Sequence, residues 1–163
     1  MSLLQHCVIE CSFEGFFQLE GDQNTDKIAK TIWISSSHAI RSHPKCGRMH
    51  GHNYRVRVTI GGEIEPHGSG MVLDFDEFKK ILEKTVGRFD HMHIGALPEG
   101  WTGNSSHIVS VPFEFTTAEN LAKHWAGEVQ FHLSQLGSAK FSTRKVLKVE
   151  VQESINNHAI WEV

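Results

Sequence analysis

Two stretches of alternating hydrophobicity, Lys27–His38 and His50–Ile60, separated by a short connection carrying Pro44 and Gly47, constrain this chain more than any other feature. Side chains along a strand point alternately to opposite faces, so apolar residues at every second position specify a strand with one buried face. In the first stretch Ile28, Ile32 and Ile34 share the even register, and His38 continues it. In the second, Tyr54, Val56, Val58 and Ile60 lie on one face and Arg55, Arg57 and Thr59 on the other. His50 and His52 fall in the apolar register. Antiparallel pairing across the short connection would bring His38 beside both of them.

The rest of the chain supplies the layer that covers such a sheet. Asp74 and Glu77 form a capping box ahead of Phe75, Phe78, Ile81, Leu82, Val86 and Phe89 at helical spacing. From Met92 to Phe115 the residues Gly95, Pro98, Gly100, Gly103, Asn104 and Pro112 predict a long loop. A second helix is expected from Thr116 or Thr117, with Thr116 and Glu119 as its capping box, Leu121, Trp125, Val129 and Leu136 on its apolar face, and Gly137 as its stop. Lys145–Glu153 reads as a strand with Leu147, Val149 and Val151 on one face, in the register of Glu153, and a last strand is expected near His158–Val163. Residues 1–26 read as an N-terminal extension, apolar at Val8, Ile9, Phe13, Phe16 and Phe17, and residues 27–163 as a single domain. The economical architecture is α+β: an antiparallel sheet with two helices on one face.

A folded chain of 163 residues buries about 70% of the surface its unfolded form exposes, so no metal is needed to staple it. Metal, if present, serves chemistry. A net charge of -3 disfavours a general nucleic-acid partner. No apolar run reaches the roughly 18 residues of a membrane span, and the first residues lack a signal-peptide pattern, so the expected location is cytoplasmic. Cys7, Cys11 and Cys46 are too few and too unevenly placed for a disulfide framework and read as free thiols.

His50-Gly51-His52 aims two imidazoles to one side of a strand, and His38 is the natural third nitrogen. Three protein ligands leave the fourth tetrahedral position of a zinc ion open, the mark of a catalytic site. Alone, His-x-His more readily fits two polar residues at a strand end, and it is the third histidine in register that brings a metal level with that reading. Cys46 lies between Lys45 and Arg48, cations that favour a thiolate acting as base or nucleophile. It also fits a fourth zinc ligand, or a small buried apolar residue. Asp90-His91 pairs a carboxylate with an imidazole, the parts of a general acid/base, at a helix end where a solvated pair is the simpler reading. Glu153 ends an apolar strand face, where a carboxylate is paired, solvated or bound by a ligand's donors.

His38, Cys46-Gly47-Arg48-Met49-His50-Gly51-His52-Asn53-Tyr54, Met71-Val72-Leu73-Asp74-Phe75, Asp90-His91, Thr117-Ala118-Glu119-Asn120 and Val151-Gln152-Glu153-Ser154 together resemble the 6-pyruvoyl-tetrahydropterin synthase and 6-carboxytetrahydropterin synthase family. The resemblance implies a T-fold (tunnelling-fold) subunit in a homo-oligomer, typically a hexamer, with sheets closed into a barrel and active sites between subunits. It implies zinc on His38, His50 and His52, a catalytic thiol at Cys46, an Asp90–His91 dyad, a pterin-anchoring carboxylate at Glu153 and a pterin contact at Thr117. The three residues between Cys46 and His50 resemble the carboxytetrahydropterin branch, whereas pyruvoyl synthases usually have five. That branch converts 7,8-dihydroneopterin triphosphate to 6-carboxytetrahydropterin, releasing acetaldehyde and triphosphate, on the path to 7-deazapurines such as queuosine. A pyruvoyl synthase, a related dihydropterin side-chain lyase, and a non-catalytic oligomer that binds zinc and pterin are the alternatives. Met92-His93-Ile94-Gly95 after the dyad and Thr116-Thr117 in place of Pro-Thr depart from the family's usual pattern.

Overall fold

The computed structural model describes residues 25–64, 69–97, 102, 105–136 and 143–163. Strands β1 (Asp26–His38) and β2 (His50–Gly62) pair antiparallel along their whole length, from Asp26 opposite Gly62 to His38 opposite His50. The register sets Ile28 against Ile60, Ile32 against Val56 and Ile34 against Tyr54, so the two apolar stripes coincide. Such cross-strand pairs are the unit of sheet stabilisation. β5 (Lys145–Ser154) pairs antiparallel with β2, and β6 (Asn157–Glu162) with β5.

The sheet is nevertheless mixed, in the order β4-β3-β1-β2-β5-β6. β3 (His93–Ile94) lies parallel to β1, and β4 (Ile108–Val109) parallel to β3. Both fall inside the stretch expected to be a loop, together with a 3₁₀ turn at Ser105–His107. Strands of two residues are too short to carry an alternation.

Helices α1 (Phe75–Thr85) and α2 (Ala118–Gln135) both cover the even face of β2. Phe78, Leu82, Leu121, Trp125 and Val129 join Tyr54, Val56, Val58, Ile60, Val149 and Val151 in one buried cluster. Each of the aliphatic and Phe side chains among them contributes roughly 1.5–3 kcal/mol by leaving water. The opposite face carries Arg57 and Trp33, and Trp33 is 63% exposed. At the start of α1 the Asp74 carboxylate accepts from the amides of Asp76 at 2.7 Å and Glu77 at 3.3 Å.

Three local expectations change. α2 is capped by Thr117, whose hydroxyl accepts from Asn120 N at 3.4 Å, rather than by Thr116, which is buried. A register shift opposite Thr59–Ile60 sets Val146 against Ile60, so Val146 takes the core position expected of Leu147. Leu147 turns toward Gly61 instead: a β-carbon there would lie 2.6 Å from its Cδ1. β1 begins at Asp26, while residues 1–24 of the expected extension, including Cys7 and Cys11, and Gly137 lie outside the described residues. Cys46 is a free thiol. Among the described residues no helix is long and apolar enough to cross a membrane.

Candidate functional site

The β1–β2 register that builds the core also builds the site. His38 stands opposite His50, and His52 opposite Ser36, all on the even face. One donor atom from each of His38, His50 and His52 lies within 4.8 Å of the other two, and this convergent set does not include Cys46. Gly51 lets β2 approach β1 closely, since a β-carbon there would sit 3.1 Å from the Ser36 carbonyl oxygen.

Hydrogen bonds decide which way the imidazoles face. His38 Nδ1 lies 2.7 Å from the Thr116 carbonyl oxygen, and His50 Nδ1 lies 2.8 Å from that of Arg48. A carbonyl only accepts, so each Nδ1 carries the proton and each Nε2 is left with its lone pair. Those two Nε2 atoms face one another at 3.1 Å. The Nε2 of His52 is buried and has no hydrogen-bond partner. A second proton is a poor remedy for His38. Burial, aided by His50, His52 and His93 and opposed by the Thr116 hydrogen bond, pushes it down to about 4. Lone pairs so opposed call for a cation, and three convergent imidazoles, two of them held by outer hydrogen bonds to carbonyls, fit a borderline metal such as zinc. Thr116, expected only as a cap, is therefore the hydrogen-bond partner that fixes the His38 ring, with its hydroxyl also 3.3 Å from Nδ1.

Below the histidines, the Tyr54 ring lies 5.3 Å from that of His52 and 6.0 Å from that of His38. Its hydroxyl is buried without a hydrogen-bond partner. Burial, and then the charge of Glu153, raise the phenol above its ordinary range. Glu153 is half-buried and lies at an irregularity of the β5–β6 pairing, between Gln152 and Ser154. Burial pushes its carboxyl up, as does Glu119, while His52 and His50 pull it down. The carboxylate thus shares the field of the histidine cluster, and Glu119, from the first turn of α2, adds a second acidic group.

Asp90 and His91 do form a pair. His91 Nδ1 lies 2.9 Å from Asp90 Oδ2, and Asp90 Oδ1 accepts from Ser35 N at 2.7 Å. That amide, opposed by a small burial effect and assisted by His91, holds the Asp90 carboxyl below its usual range. His91 takes φ 59°, a left-handed conformation uncommon for a residue with a β-carbon, while its own amide donates to Ser35 O at 2.7 Å. An open cavity of about 510 Å³ has His52, Asn53, Ser35, Ser37, His91 and His107 in its wall. Cys46 is half-buried in the β1–β2 connection, and Thr117 is half-buried at the start of α2.

The sequence profile described as 6-pyruvoyl tetrahydropterin synthase matches residues 27–162. A Methanocaldococcus jannaschii protein named putative 6-carboxy-5,6,7,8-tetrahydropterin synthase is 30% identical over 153 residues, covering 78% of this chain and 88% of that protein. A protein of the same name from Archaeoglobus fulgidus is 46% identical over 58 residues, 36% of this chain and 49% of that protein. Among solved structures, a catalytic-residue mutant of Plasmodium vivax 6-pyruvoyltetrahydropterin synthase superposes with a TM-score of 0.69 at 20% identity, covering 87% of this chain and 99% of that one. At that identity the superposition shows the fold, a T-fold subunit.

Proposed function

Because this chain belongs to the 6-pyruvoyl tetrahydropterin synthase family, we propose that it is a zinc-dependent 6-carboxytetrahydropterin synthase. It converts 7,8-dihydroneopterin triphosphate and water to 6-carboxytetrahydropterin, acetaldehyde and triphosphate, in the cytoplasm, on a route to 7-deazapurines such as queuosine. Residues 27–163 are the catalytic domain and residues 1–26 an extension. The observation that carries the reading is the three-imidazole cluster, with two opposed Nε2 lone pairs and a third Nε2 buried beside them. The spacing of three residues between Cys46 and His50, and the names of the archaeal relatives, favour the carboxy branch.

His38, His50 and His52 hold the zinc, which when bound supplies Lewis-acid polarisation of the side-chain hydroxyls. The Cys46 thiolate takes a proton from a side-chain carbon. His91, oriented by Asp90, carries a proton at the rim of the cavity, where its exposure gives it access to substrate. Glu153 accepts N–H bonds from the guanidine-like edge of the pterin, and Thr117 contacts the ring. The apolar Trp33 left exposed on the uncovered sheet face supports a homo-oligomer, which on the family's pattern is a hexamer with active sites between subunits.

Incubation of the zinc-loaded protein with 7,8-dihydroneopterin triphosphate is expected to release acetaldehyde in step with triphosphate. A 6-pyruvoyl product without acetaldehyde moves the chain to the other branch. Absence of turnover, with pterin bound equally well by wild type and Cys46→Ala, makes it a binding oligomer.

A further inference from the structure

We propose that His43 is the positioning residue of the Cys46 thiol, because it binds the peptide amides on both sides of that cysteine. The inference rests on the reading of Cys46 as the proton-abstracting thiol and assigns how its loop is held. Cys46 sits between β1 and β2, outside either strand. A half-buried side chain on such a segment has no ladder to fix it, and proton abstraction from carbon tolerates little misplacement.

Hydrogen bonds inside the loop replace the ladder. Ile40 N donates to Cys46 O at 2.8 Å and closes the neck, while His43 N donates to Ile40 O at 3.1 Å. Gly47 N then donates to the His43 carbonyl at 2.8 Å, and Cys46 N donates to His43 Nδ1 at 2.9 Å. One residue therefore accepts from two consecutive amides, those that bracket the Cys46 α-carbon, and so sets the direction of its Cα–Cβ bond. An amide only donates, so His43 Nδ1 presents its lone pair and the ring proton is on Nε2.

The neighbouring residues fit this role. Gly47 is required by the close approach: a β-carbon there would lie 2.7 Å from the His43 carbonyl oxygen. Pro44, with its φ fixed by the ring, restricts His43 to extended backbone conformations and so narrows what the open loop can sample. Ser42 enters the turn at φ 68°. Since β1 ends at His38 and β2 begins at His50, a loop held in this way fixes Cys46 relative to the imidazole cluster.

Two variants separate this role from general support of the loop. His43→Ala removes the acceptor, whereas the side-chain oxygen of His43→Asn can accept from the amide three residues on, as it does at helix caps. With 7,8-dihydroneopterin triphosphate as substrate, the alanine variant is expected to lose roughly three- to tenfold in kcat, the scale of one hydrogen bond. Its KM and zinc content should stay unchanged. Alkylation of Cys46 by iodoacetamide, followed site by site by mass spectrometry, should speed up about threefold as the loop opens, again the scale of one hydrogen bond. His43→Asn should restore both quantities to within about twofold, under half the net worth of such a bond. An alanine variant with wild-type kcat and alkylation rate overturns the proposal, as does an asparagine variant as impaired as alanine. Should the wild type not turn over this substrate, the functional reading falls, yet the alkylation series still decides: equal rates in all three proteins refute the positioning role, and faster alkylation in alanine alone upholds it.

Discussion

The histidine cluster and the Asp90–His91 pair use the same side chain under opposite conditions. His38 is 1% exposed, with its ring direction imposed by strand register and by the Thr116 carbonyl. The His91 side chain is 81% exposed and is aimed by a left-handed backbone, by its own amide donating to Ser35 O, and by the Asp90 carboxylate, which accepts from Ser35 N. The difference follows from the chemistry each position suits. A metal ligand must present a neutral lone pair, and burial enforces that by disfavouring the imidazolium. A group that carries a proton to and from a substrate must stay reachable, so it belongs at a rim with a carboxylate to orient it.

The largest expected effect tests the buried half of this contrast. His38→Ala should weaken zinc binding by more than the roughly 10–100-fold that loss of an outer-sphere partner costs, with turnover falling in parallel. Metal content after dialysis, measured by elemental analysis, checks it. A variant that keeps a full complement of zinc would show that the opposed lone pairs do not mark a metal site.

His91→Ala should sharpen the contrast from the exposed side. It is expected to reduce kcat on the order of 10²–10⁴-fold, as general acid/base groups do, while zinc content stays at the wild-type level. Loss of zinc from this variant would merge the two regions into one ligand set.

The smallest effect concerns stability against pH. Asp90 is held low first by the Ser35 amide, then, against a small burial effect, by His91. A carboxyl with a depressed folded pKa contributes stability that is complete above its unfolded value of 3.8 and is lost as the pH falls through its lower folded value. In urea titrations between about pH 5 and pH 2, the wild type should therefore lose stability more steeply than Asp90→Asn. Parallel curves would mean that the carboxyl gains nothing from the Ser35 amide.

How much of this was legible varies with the physical origin of each feature. The strands β1 and β2 were readable to within a residue or two, because one buried face imprints a period of two, and the same period carried His38, His50 and His52 into a common register. The cap of α1 was readable from Asp74, since capping is a local hydrogen bond. Val146 in the place of Leu147 was not, because a bulge adds one residue and reverses the faces beyond it. Nor was the choice between Thr116 and Thr117, two like residues of which one is buried against His38 and the other caps α2. The contact of His43 with Cys46 is equally illegible in the sequence, since it depends on how the loop folds back.

By itself, then, the sequence determined which residues of β1 and β2 share a face, and with it an α+β core, the histidine register and the membership of Cys46 in the connection between the two strands. These are short-range consequences of alternation and covalent order. Only the tertiary structure decided that Nδ1 of His38 and of His50 are both committed to carbonyls, that Asp90 and His91 point the same way, and that Glu119 shares a field with Glu153. The direction of a lone pair and the charge around a carboxyl depend on groups such as Thr116, 78 positions from His38, which no local pattern can place.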